Sequence, residues 1–99
     1  MDYNLSDSSK EEIKQNLTSL YDKLTEKMVE LGNIIRSSDA PNKELTEHVN
    51  LLKKDRFALR QAMDTAVTLE DAKWGAFKEE AERLTYETRN RMETEIPHG

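Results

Sequence analysis

The chain contains no cysteine, and that absence removes disulfide scaffolds, thiolate metal sites and thiol nucleophiles together. No marker of redox compartment is left. Glycine and proline are scarce, three and two in 99 residues, too few for a glycine-rich phosphate loop or for the turn-dense connections of a small β-protein. No run approaches the roughly 20 apolar residues of a membrane span. The start, Met1-Asp2-Tyr3-Asn4-Leu5-Ser6-Asp7, lacks the basic residues and apolar stretch of a signal peptide. A cytoplasmic location is therefore the default expectation.

What is present is an even balance, 35% apolar and 35% charged residues, as in amphipathic helices and coiled coils. A chain this short buries only about 60–65% of the surface its unfolded form exposes, so its core is thin. The formal charge of −5 is unevenly spread. Residues 1–48 carry ten acids against six bases, residues 49–64 two against four, and residues 65–99 eight against five. Only the middle is basic, and Lys53, Lys54, Arg56 and Arg60, interrupted by Asp55, make a weak footprint for nucleic acid. Nucleic-acid binding is not expected. A membrane-surface helix is a poor fit too, because such helices carry Lys and Arg on the polar face.

Residues 1–8 read as a loose arm. Ser8 and Ser9 precede Glu11 and Glu12 by three residues, so either serine suits a capping box at the start of helix one. Ile13, Leu17, Leu20, Tyr21, Leu24, Met28, Leu31, Ile34 and Ile35 follow at spacings of mostly three and four, one face of a 3.6-residue helix. Leu17, Leu24 and Leu31 repeat every seven residues. Ile13, Leu20 and Ile34 fill the second seam position, with Lys27 in its remaining slot. Gly32 costs about 1 kcal/mol relative to Ala but does not end the pattern, so the helix is predicted over 9–36. Ser37-Ser38-Asp39-Ala40 forms the loop, with Asp39 a cap and Pro41 in the first turn of helix two. A loop this short makes the helices antiparallel neighbours.

Helix two carries Leu45, Val49, Leu52, Leu59, Ala62, Met63 and Ala66 inward. Its course beyond residue 64 admits two architectures. Leu59, Met63, Ala66, Phe77, Ala81 and Leu84 keep one phase, and no glycine or proline marks a turn at 64–68, which favours a single helix over 41–95. The series Glu79, Arg83, Glu87, Arg91, Glu95 supports it as an exposed ladder of alternating sign. Such a helix, about 80 Å long against about 42 Å for helix one, leaves its far half uncovered and calls for self-association, with a homodimer expected. The alternative is a compact three-helix bundle broken near 64–68, where Thr65, Val67 and Thr68 weaken the helix and Thr68 with Glu70 and Asp71 resembles a fresh start. Residues 97–99 form a tail.

Candidate chemistry is sparse. Glu44, Glu47 and His48 allow a carboxylate–imidazole pair one turn apart, but the Glu-x-x-His pattern of carboxylate-bridged metal bundles is absent, and a solvated helix start is the better reading. Paired acids such as Glu11/Glu12 and Glu79/Glu80 point about 100° apart on a helix and converge on nothing. No catalytic, cofactor or metal residue is assigned, and no enzyme activity is expected. The fold expected is all-α: an antiparallel, coiled-coil-like hairpin with a long second helix. The function expected is a protein–protein interaction or adaptor module that binds through apolar helix faces. Leu69, Trp74, Phe77 and Leu84 are the candidate partner contacts, since aromatic residues often anchor interfaces. An acidic inhibitor occupying a basic site, and a carboxylate/His metal bundle, are the alternatives.

Overall fold

A computed structural model describes residues 7–94, and within them the protein is all-α, as the composition implies. Helix α1 spans Asp7–Ser37, α2 Lys43–Thr68 and α3 Trp74–Glu93, the last preceded by a 3-10 turn at Asp71–Lys73. The three helices alternate in direction and form a slender bundle of 56 × 18 × 16 Å.

Helix α1 starts ahead of the serines expected to cap it, and what precedes Asp7 lies outside the described residues. It runs through Gly32 without a break and stops where Ser37 and Ser38 donate their hydroxyls to Ile34 O at 3.2 and 2.9 Å. Those side chains satisfy a carbonyl that a continuing helix would have used. Helix α2 is capped by Asn42 rather than Asp39: its backbone is extended at φ −113°, ψ 94°, and its side-chain oxygen accepts Leu45 N–H at 3.0 Å.

The continuous second helix is corrected. The chain leaves α2 at Thr68 and passes through two extended residues, Leu69 (φ −69°, ψ 131°) and Glu70 (φ −67°, ψ 144°). Lys73 N–H then closes on Glu70 O at 3.0 Å to start the next turn. Neither φ is positive, so the joint requires no glycine and, with ordinary side chains throughout, leaves no punctuation in the sequence. The break falls just after the weak segment 64–68, and the chain adopts the three-helix alternative. The shared phase of Leu59, Met63 and Ala66 with Phe77, Ala81 and Leu84 has a different cause: both stripes face one core from opposite directions.

That core is a seam of leucines. Leu17, Leu24, Leu45, Leu52 and Leu59 are fully buried, joined by Ile13, Leu20, Leu31, Val49, Ala66, Trp74 and Ala81. Ala58, Ala62, Phe77 and Leu84 line a common surface between α2 and α3, small residues on one helix meeting large ones on the other. Helix α3 has 20 residues against 31 and 26 in its neighbours, about 30 Å against about 46 and 39 Å, so it cannot cover their full length. Its own end also departs from expectation, at Glu93 with Thr94 extended rather than at Glu95.

Candidate functional site

Trp74 places the first turn of α3 against α1. It is 2% exposed, packs edge to face with Phe77 at 5.3 Å and 80°, and carries the ammonium groups of Lys10 and Lys14 at 5.8 Å from its ring centre. Lys10 also bridges to Asp71 at 2.6 Å, fastening the 3-10 turn to α1. Leu69, Phe77 and Leu84 are half-buried against the same core. The four residues expected to contact a partner thus run from the turn before α3 to its middle, and all are packed on the chain's own core.

At the other end of α3 the seam becomes polar. Trp74, Ala81 and Thr88 recur every seven residues, as do Phe77, Leu84 and Arg91, so Thr88 and Arg91 continue the buried face with polar side chains. Arg91 Nε lies 2.7 Å from Asp55 Oδ2, yet neither atom makes a well-directed hydrogen bond, so proximity and charge hold the pair. Arg91 does not continue the charge ladder expected on α3; it crosses to α2 instead, and Arg83 pairs with Glu80 at 2.7 Å. Asp55 has a side chain only 12% exposed, and burial raises its pKa from 3.8 against the opposing pull of Arg91.

His48 lies two helical turns before Asp55 on the same side of α2. It is 6% exposed, not the solvated residue the sequence implied, because its side of α2 is turned toward the core beside Leu52. Burial, followed by the charges of Arg91 and Lys27, lowers its pKa from 6.5, while Asp55 opposes the shift. The buried Nε2 of His48 and Oγ1 of Thr88 lack hydrogen-bond partners among the described residues. No group of three or more His, Asp or Glu among those residues is placed to hold a metal ion.

A second feature lies between α1 and α2. An open groove of about 490 Å³ is lined by Thr25, Met28, Val29, Gly32, Ile35 and Arg36 of α1 and by Thr46, Val49, Asn50, Lys53 and Arg56 of α2, with no contribution from α3. The floor is aliphatic, and Val29 is 57% exposed within it. Arg56 is fixed on the rim: its Nε–H donates to Thr25 Oγ1 at 2.9 Å, and its guanidinium sits 4.6 Å from the Tyr21 ring centre. The sequence exposed the inner stripes that create this groove. It did not reveal that α3 would pack elsewhere and leave the groove open.

Among the described residues no helix is long and apolar enough to cross a membrane. Comparison of the chain with protein-family models, with curated proteins and with solved structures finds no match.

Proposed function

We propose that the protein is a non-catalytic interaction module that receives a partner protein along the α1–α2 groove. The observation that carries this reading is an open aliphatic floor about three helical turns long, in which Val29 is exposed and Met28 and Ile35 are half-buried above the buried Val49. An elongated trough between two antiparallel helices suits a segment that lays an apolar face into it. Leu69, Trp74, Phe77 and Leu84 support a weaker version, because a partner reaching them would have to displace packing against the chain's own core. With α3 folded back on the core, the half of the long helix expected to lie uncovered has its cover, and the reason for expecting a homodimer lapses.

A photo-cross-linking residue at Val29, compared with one at Tyr86 on α3, tests the reading in extract of the source cells. Tyr86 is 67% exposed and serves as the surface control. Discrete adducts from position 29 that are absent from position 86, and that disappear when Gly32→Leu fills the groove floor, are the expected outcome. Equal adducts from both positions, or adducts from position 29 that are indifferent to Gly32→Leu, overturn it.

A further inference from the structure

We infer that the occupant of the α1–α2 groove is an acidic amphipathic helix of about three turns, an inference that rests on the interaction reading above. Length comes from the lining: Thr25 to Arg36 on α1 and Thr46 to Arg56 on α2 each extend about 15–17 Å, three turns of helix. The floor accepts aliphatic side chains at i, i+3 or i+4, and i+7.

Charge selects the sign of the partner. The rim carries Arg36, Lys53 and Arg56, and no Asp or Glu lines the groove. This reverses the local sign in a chain whose net charge is −5. Among the described residues none of the three cations forms a salt bridge with a carboxylate of the chain. Arg56 is moreover held in place by Thr25 and Tyr21, so less side-chain freedom is lost when it meets an anion. Carboxylates flanking the apolar stripe of a bound helix would complement these three positions.

Gly32 opens the centre of the floor. A Cβ built there meets only the Arg36 guanidinium, at 3.9 Å, so the missing side chain leaves room for close approach of a partner and is not demanded by packing within the chain. A drug-sized ligand fits less well, because such ligands are mostly enclosed and this groove is open. A second copy also fits less well. The exposed large apolar residues Val29, Leu51, Phe57, Val67 and Tyr86 include no two that stand three or four apart on one helix.

The test uses a fluorescein-labelled 15-residue helical peptide with leucines at i, i+4, i+7 and i+11 flanked by glutamates, beside a twin with lysines in place of the glutamates. Anisotropy titrations against the full chain are accompanied by light scattering and by phosphatidylserine/phosphatidylcholine vesicles. The acidic peptide should bind at least about tenfold more tightly than its twin. Arg36→Glu with Lys53→Glu should weaken it about tenfold through the loss of two exposed charge pairs, and added salt should weaken it as well. Gly32→Leu should abolish binding while the melting temperature stays at or above that of the parent, because removing a mid-helix glycine favours α1. Equal binding of both peptides, lost together in Gly32→Leu, overturns the acidic class while leaving the groove as a helix site. Binding of neither peptide overturns the inference, as does rim-dependent binding of vesicles alone or conversion to a dimer that shields the groove. Failure of the groove reading itself is reported separately by the Val29 adducts.

Discussion

Replacing Trp74 with alanine should cost the protein a large part of its stability. The indole is 2% exposed, closes an aromatic pair with Phe77, and lies under the ammonium groups of Lys10 and Lys14. Truncating a buried tryptophan costs about 3–5 kcal/mol, and the edge-to-face geometry alone is worth about 0.5–1.5 kcal/mol of such a sum. A domain of this length has about 5–15 kcal/mol in total. At about 4–8 °C per kcal/mol, the melting temperature should fall by about 12 °C or more. Circular dichroism at 222 nm during heating and urea titration is the appropriate assay, because tryptophan fluorescence disappears with the only tryptophan. Phe57→Ala is the matched control: at 65% exposure it should stay within about 0.5 kcal/mol of the parent. A Trp74→Ala loss below about 1 kcal/mol, or a loss no larger than that of Phe57→Ala, would refute the placement of Trp74 as the anchor of α3.

Asn42→Ala removes the side-chain acceptor for Leu45 N–H and should destabilise the protein by about 1 kcal/mol, with Asp39→Ala near neutral; the reverse order in urea denaturation would return the cap to Asp39. The polar layer should make stability depend on pH. His48 has its pKa lowered in the fold, so the unfolded chain binds the extra proton first, and stability present above pH 6.5 is lost as pH falls through that value. Asp55, raised from 3.8, works in the opposite sense, since its ionisation disfavours the fold as pH rises through its elevated pKa. Denaturation of the parent and His48→Gln between pH 8 and 5 should show a shallower slope in the variant, and an unchanged slope would remove His48 as the cause.

The helical class, the antiparallel α1–α2 pair and most core positions are legible in the sequence because spacings of three and four fix which side of a helix is apolar. Leu17, Leu24 and Leu31 appear in the core as their heptad spacing requires. The turn at Leu69 and Glu70 is not legible, since an extended joint with negative φ is open to any residue. His48 reads as solvated, and the burial of Asp55 goes unread, for a related reason. A polar residue beside an apolar stripe takes its environment from the neighbouring helix, here from Arg91, 36 positions beyond Asp55 in the chain. The groove depends on where α3 does not pack, which no local pattern within α1 or α2 encodes.

The polar layer bears on alignment more than on strength. Three antiparallel helices with similar apolar faces can slide past one another in steps of seven residues, about 10.5 Å, while still burying hydrocarbon. Arg91 now stands beside Asp55. A slip of one step would set it near Ala62 or His48 and leave the Asp55 carboxylate buried without its counter-ion, at a cost of about 3–5 kcal/mol. Leucine contacts alone carry no comparable penalty for misplacement. One ion pair of little net worth in the native arrangement therefore sets a seven-residue slip of the third helix apart from the native register by the charge it would strand.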